Sequence, residues 1–478
     1  MAVPEACLRR RTKYLAFLIT VVTVGVLLLS CGGGSSSPSP AANGLGMVRL
    51  SLSDPATCSG PRGTFSHIYV TVTDVLVNQS TSSGNSDAGW VDLTPNLTNA
   101  PMQVDLLGAA TTQCFLATLG SMGIQPGTYE QIRVILAENS TQVNVNKCGS
   151  TANCVMLSGA PSTPQPLLLS SESKTGIKIP AGQIAGGQIS VAAGQTIDLN
   201  IDFNACESIV TEGNGSFRLK PVLHAGEVTV NMTEINGTII DGMTGQPIGG
   251  GTIVVALEQK DGTGVDRVIM ETLAQSSGGF AFCPVAAGTY DVVAVAINGK
   301  GIIYAATVIT GVQPGNALGK VPLTPASVPA SITGQITSST GTAPTSVDLT
   351  VSALQSIGSG VLVTVPLAEQ SVARDTLTTT PGNGCPATTD CANYTLEVPA
   401  ANPSIGMFKP TAAQQPAPPS GGTVNYTVDA QAVVPGGGGQ ADCSPSDLQT
   451  NMTNTNIPLT ATVGGSSMAA TLAFTSCQ

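Results

Sequence analysis

Short runs in which apolar and polar residues alternate one for one recur along this chain, and that period of two constrains its fold more than any other feature. In His67-Ile68-Tyr69-Val70-Thr71-Val72-Thr73-Asp74, Ile68, Val70 and Val72 fall on one face and Tyr69, Thr71 and Thr73 on the other. Successive side chains of a strand point to opposite faces, so such a run fits a strand buried on one side. Similar runs are Val48–Leu52, Gly89–Leu93, Met102–Leu106 and Thr128–Leu136. They are separated by turn formers such as Ser53-Asp54-Pro55 and Gln125-Pro126-Gly127. The expected fold class is all-β, as tandem β-sandwich domains of immunoglobulin-like or transthyretin-like type.

At 478 residues the chain is too long for one core, since domains usually hold about 100–200 residues. Charged residues make up only 10% and aromatics 4%, so solubility falls to hydroxyls and amides, as in extracytoplasmic β-proteins. The net charge is −11, and the one concentrated basic cluster is Arg9, Arg10, Arg11 and Lys13. An acidic surface repels phosphate backbones, so nucleic acid is excluded as a partner.

Those four basic residues precede an apolar run from Tyr14 to Leu29, the pattern of an export signal. The run of 16 is short of the roughly 20 residues a spanning helix needs. It ends Leu28-Leu29-Ser30-Cys31, which resembles the bacterial lipobox. That resemblance implies cleavage before Cys31 and lipid on its thiol, and Gly32 in the following position implies the outer membrane, on a face the residues do not specify. Each buried methylene of lipid contributes about 0.8 kcal/mol, so several acyl chains anchor firmly. Cleavage would take Lys and Arg from 18 to 14 and Asp and Glu from 29 to 28, a net charge of −14. Gly32 through Pro40 is a Gly/Ser/Pro tether that cannot bury a core. The expected division is signal 1–30, lipidated Cys31 with tether 31–45, and domains over 46–230, 234–325 and 330–478.

Setting aside Cys7 and Cys31 leaves ten cysteines: Cys58, Cys114, Cys148, Cys154, Cys206, Cys283, Cys385, Cys391, Cys443 and Cys477. An even number in an exported chain favours disulfides. Zinc would want close Cys-x-x-Cys pairs or histidines, and the only histidines are His67 and His224. Short loops closed by Cys148–Cys154 and Cys385–Cys391 are expected, with Cys443 tying to Cys477. Cys58–Cys114 is a preference, Cys206–Cys283 a guess.

The order Ser-Leu-Ser-Asp (51–54), Val-Thr-Val (70–72), Gly-Trp (89–90), Val-Asp-Leu-Leu (104–107) and Pro-Gly-Thr-Tyr-x-Gln-Ile-Arg (126–133) resembles a domain of bacterial lipoproteins known only as DUF4382. The resemblance continues through Lys174–Ile179, Leu199–Ala205 and Arg218–Leu223. It implies a sandwich-like β fold and supplies no catalytic residue. Residues 234–325 resemble the regulatory β-sandwich modules attached to carboxypeptidases, related to transthyretin-like and carbohydrate-binding-like folds. The carrying residues are Ile235–Asp241, Thr244–Ile248, Ser277–Phe282 and Ala287–Val292. Here Gly245 and Pro247 suit a hairpin, Gly278-Gly279 a turn with positive φ, and Tyr290 an apolar layer. Ser331-Ile332-Thr333-Gly334-Gln335-Ile336 echoes Ile235-Asn236-Gly237-Thr238-Ile239, which points to a second copy of the sandwich, with strands at 346–351 and 394–399. Beyond Ala400, the segments 409–422 and 435–439 read as loops, and 423–434 and 457–475 as strands.

Common catalytic motifs are absent: no phosphate-binding loop, dinucleotide fingerprint, H-E-x-x-H or G-x-S-x-G occurs. Ser171-Glu172-Ser173-Lys174 satisfies S-x-x-K but lacks its S-D-N and K-T-G partners, and reads as chance. His67 and His224 read as surface or turn residues without a nearby nucleophile. Trp90 reads as a sandwich anchor rather than a sugar platform. Asp105, Asp202 and Asp241 could serve Ca²⁺, but no spaced aspartate loop supports it, and strand-edge or turn roles explain them equally.

The expectation is therefore a membrane-anchored lipoprotein with a non-catalytic structural, adhesive or binding role at the cell envelope. Neither cofactor nor metal is expected. Its partners would be the membrane, through the lipid, and a glycan, matrix or envelope-protein ligand. A glycan- or peptide-binding module is the alternative, predicting an exposed aromatic platform near Trp90, Tyr290 or Tyr304. A hydrolase would need His67 or His224 brought to a serine and a carboxylate.

Overall fold

The computed structural model describes residues 44–478 except 54–58, 61–62, 81–86, 108–116, 160–162, 171, 181–182, 212–214, 229–233, 368–369, 374–376, 383, 411–412, 435–442, 451–458 and 478. Cys31, Cys58, Cys114, Ser171, the export segment and the glycine run at 435–439 lie outside the described residues. The structure is all-β: among the described residues the only helical pieces are Ala205–Ser208 and the 3₁₀ turn Ala185–Gly187.

The first segment is built on two large sheets packed face to face, with Gly127–Tyr129 and Ile189–Val191 pairing as a small third. One has four strands in the order Leu223–Glu227, Thr196–Phe203, Gly46–Ser53 and Ala117–Ile124. The strand nearest the N-terminus lies parallel to Thr196–Phe203, Met47 opposite Thr196, so the segment is closed by residues far apart in sequence. The other sheet is built around the 16-residue strand Gly63–Asn78. Ile68, Val70 and Val72 point into the core as the alternation requires, and a register shift between Val72 and Asp74 then moves the inward phase to Val75 and Val77. Leu50, Leu52, Leu199, Ile201 and Phe203 meet them from the facing sheet.

The second and third segments share a local plan. In the second, Ile235–Asp241 lies antiparallel to Gly279–Phe282 and parallel to Ala317–Leu323. In the third, Ala330–Ser338 lies antiparallel to Asp390–Val398 and parallel to Ser466–Met468 and Leu472–Phe474. Each central strand has a glycine opposite an aromatic residue, Gly237 across from Phe280 and Gly334 across from Tyr394. A Cβ at Gly237 would lie 2.9 Å from the Phe280 ring, and one at Gly334 would lie 2.2 Å from the Tyr394 hydroxyl. The Ile-x-Gly-x-Ile echo thus has a cause: glycine lets the neighbouring ring fold over the strand.

The two segments are joined by backbone pairing. Val265–Leu273 pairs parallel with Val361–Val365, and Thr307–Val312 with Ser404–Met407, giving one 13-stranded sheet that belongs to both. Its central strands Thr252–Lys260 and Tyr290–Ile297 are buried on both faces for most of their length. Along Tyr290–Ile297, Tyr290, Val292, Ala294 and Ala296 enter the second core. Val295 and Ile297 enter the third. Val293 packs between them with Val308 and Val363.

Charged side chains fasten the segments further. Arg218 of the first makes a two-pronged contact with Asp348 of the third, at 2.8 and 2.6 Å, and Lys220 Nζ donates to Thr350 Oγ1 at 2.5 Å. Arg267 of the second is held by Asp261 at 3.0 Å and by Asp429 and Asp447 of the third. Two-pronged arginine–carboxylate pairs fix geometry as well as charge. Residues 44–478 accordingly form one compact unit.

Candidate functional site

The strand Thr196–Phe203 sends Ile197, Leu199, Ile201 and Phe203 into the first core and turns Asp198, Asn200 and Asp202 outward. Opposite these on the parallel strand stand Arg49, Ser51 and Ser53. The resulting ladder grows less accessible along its length. Arg49 Nη2 donates to Asp198 Oδ2 at 2.6 Å at the exposed end, and Ser51 Oγ donates to Asn200 Oδ1 at 3.1 Å in the middle. At the buried end Asn200 Nδ2 donates to Ser53 Oγ at 2.7 Å, and Ser53 Oγ donates to Asp202 Oδ1 at 3.2 Å.

On its other side Asp202 faces His224, its antiparallel partner. The second segment covers this end with Gln259, Met270, Pro284, Val285, Ala286 and Tyr290, leaving a cavity of ≈ 40 Å³. Close approach depends on Gly226, where a Cβ would come within 2.4 Å of the Ala286 methyl. Asp202 Oδ2 and His224 Nδ1 are buried there without a hydrogen-bond partner among the described residues. Burial pushes the Asp202 carboxyl up to about 8, against the opposing hydrogen bond from Ser53. The same loss of water pulls His224 down to about 4. Burial thus favours the uncharged form of both groups.

Two expectations are corrected here. His224 lies within the edge strand Leu223–Glu227, half-buried with its Nδ1 turned inward, rather than on the open surface or in a turn, and Asp202 sits buried on an inner strand rather than at an edge or turn. The residues were visible in sequence as polar positions in alternating strands, but what covers them comes from a segment about 35–90 positions away. A serine, an aspartate and a histidine do meet, and the Ser53 hydroxyl donates its hydrogen bond to the Asp202 carboxyl rather than to the imidazole, which is not the serine–histidine contact of an activated nucleophile.

His67 lies elsewhere, with Nδ1 2.6 Å from Asp105 Oδ2 and its ring stacked on Tyr69 at 5.5 Å. Asp105 Oδ1 also accepts the amides of Ile68 and Leu107. Asp241 accepts the amides of Met243 and Thr244 and the hydroxyl of Tyr304, which holds the turn. Asp105, Asp202 and Asp241 thus occupy three separate places, and among the described residues no group of three or more His, Cys, Asp or Glu gathers to hold a metal. Lys174 is exposed in a turn. Tyr290 and Tyr304 are buried, and Trp90 is half-buried with the Arg133 guanidinium 4.2 Å above its ring, so these three offer no open aromatic platform.

Disulfides join Cys148 to Cys154, Cys385 to Cys391 and Cys443 to Cys477. Cys283 is also disulfide-bonded, while the expected partner Cys206 has a side chain outside the described residues. Among the described residues no helix is long and apolar enough to cross a membrane, which leaves membrane-crossing strands unaddressed.

The fold and site define a class: an all-β, disulfide-bridged protein of interlocked sandwiches. Within it, residues 45–221 match the family described as Domain of unknown function (DUF4382), which assigns a domain and no activity. No curated protein matches the chain. Among solved structures, the TIE protein of Bacillus anthracis is 10% identical with a TM-score of 0.15, over 90% of this chain and 50% of its own. This chain therefore spans about half the length of that protein. The shaft pilin SpaA from Lactobacillus rhamnosus GG is 10% identical with a TM-score of 0.17, over 59% of this chain and 99% of its own. A leucine-rich repeat protein from Bacteroides thetaiotaomicron is 13% identical with a TM-score of 0.20, over 51% and 26%. These likenesses are too distant to assign a role.

Proposed function

We propose that the chain is an envelope lipoprotein, held to the outer membrane by lipid on Cys31, whose folded part serves as a rigid non-catalytic structural or adhesive element. The observation that carries this reading is the interlocking of the three segments. One sheet belongs to two cores, and arginine–carboxylate clamps bind the first and second segments to the third. An element that transmits load or holds a fixed contact gains from such interlocking, because shared sheets and clamps resist movement of one segment against another. Arg218, Lys220 and Arg267 are spent on holding segments together, and the meeting of Ser53, Asp202 and His224 lacks the serine–histidine contact of an activated nucleophile.

Intact mass and membrane fractionation of the purified wild-type chain and of Cys31→Ala test the anchor. A chain beginning at acylated Cys31 that stays with the membrane, and a variant that does not, are the expected results. An uncleaved N-terminus in the wild type overturns the lipoprotein reading. Loss of cell or matrix adhesion in a strain producing the soluble variant tests the role.

A further inference from the structure

We propose that Asp202 and His224 together bind one divalent transition-metal ion in the cavity where the first and second segments meet. Two ligand atoms on directly opposed residues of neighbouring strands, Asp202 Oδ2 and His224 Nδ1, are buried and without a partner among the described residues. Opposed residues have Cβ atoms about 4.5–5.5 Å apart, close enough for both side chains to reach one ion. Leaving two polar atoms unmatched is costly, and the rest of the ladder from Arg49 to Asn200 avoids it.

The size and chemistry of the cavity restrict the occupant. Its ≈ 40 Å³ holds only a few groups of water size, at about 10–15 Å³ each, which admits an ion with its waters and excludes a sugar ring. An imidazole nitrogen beside a carboxylate oxygen suits Zn²⁺, Cu²⁺ or Ni²⁺ better than Ca²⁺ or Mg²⁺, which prefer oxygen alone. With two side-chain donors, the remaining positions fall to water and to Gln259, which lines the same cavity, while Ile184, Met270 and Val285 supply a water-poor wall. Such a site would pin the first segment to the second, because its ligands come from one and its cover from the other.

The chain has only two histidines, which makes the test clean. The full-length protein, stripped of metal and with any free thiols blocked, is titrated with Zn²⁺ by calorimetry and with Cu²⁺ by electron paramagnetic resonance. The variants are His224→Gln, Asp202→Asn and His67→Gln. One ion per chain is expected, with a single nitrogen coupled to Cu²⁺. Affinity should fall at least about a hundredfold in His224→Gln and in Asp202→Asn and hold in His67→Gln. Asp202→Asn is close in shape to the neutral acid and can still accept from Ser53, so it reports binding even where His224→Gln fails to fold. No binding at one ion per chain overturns the proposal, as does binding that survives Asp202→Asn and vanishes in His67→Gln.

Discussion

Replacing Arg267 by methionine removes the one cation that Asp261, Asp429 and Asp447 share. The Arg267 side chain is 16% exposed and that of Asp429 1%, so the variant leaves a carboxylate in the interior with only the neutral amide of Gln449, at 2.8 Å, against its charge. Breaking a buried pair from one side costs about 3–5 kcal/mol, mostly from the charge left behind, which moves the folding equilibrium by about 2–4 powers of ten. Adding Asp429→Asn to the methionine variant should therefore recover more than half of the loss, a coupling that a double-mutant cycle reads directly. The loss should also be smaller at pH 5 than at pH 8. Burial, and then repulsion from Asp429, raises the Asp447 carboxyl to about 7, and protonation relieves the cluster. Urea unfolding of the four chains at both pH values is the assay. A loss below about 1 kcal/mol, the value of an exposed salt bridge, would refute the reasoning, as would simple addition of the two single effects.

Other expectations follow from the same interior. Glu258 is raised well above the usual carboxylate range by burial, against the opposing amide of Thr364, and Asp266 is raised to about 7 by burial and then by Asp291. The folded state holds these protons more tightly than the unfolded chain, so their contribution is full below the unfolded carboxylate range and is lost as pH rises through the raised folded values, which for Asp266 is about 7. The urea midpoint should be higher at pH 5.5 than at pH 8.5, and a higher midpoint at pH 8.5 would count against the assignment. Gly278→Ala should cost more than about 1 kcal/mol, since Gly278 has φ 86° and an added Cβ would meet the Ile239 carbonyl at 2.0 Å; an unchanged midpoint would contradict this. Converting Cys443 and Cys477, 34 positions apart, to serine should cost about 2–4 kcal/mol in denaturant, and no loss would mean the link is dispensable.

The strands were legible because alternation reports a half-buried surface directly, as at Ile68, Val70 and Val72. The Gly237 and Gly334 echo was legible too, although only the structure shows the ring that each glycine accommodates. What joins the segments was not legible. Val265 beside Leu362 is a pairing of distant backbone atoms, and parallel pairing leaves no short turn in the sequence to mark it. A partial signal did exist. Val292 to Ile297 and Ile253 to Leu257 are apolar without interruption, which marks strands covered on both faces. The site at Asp202 and His224 had no comparable mark, since its polar face is ordinary until Ala286 and Met270 close over it.

The three segments should behave as one interlocked body, and Trp90 gives a direct way to test it. It is the only tryptophan and reports on the first segment alone. Urea unfolding followed by Trp90 fluorescence, with hydrogen exchange read at the strands Tyr290–Ile297 and Asn425–Val433, samples all three segments in one experiment. Coincident transitions, and a common fall in midpoint when Arg267 is replaced, are the predicted result. Three separate transitions, with Trp90 insensitive to the Arg267 change, would contradict it.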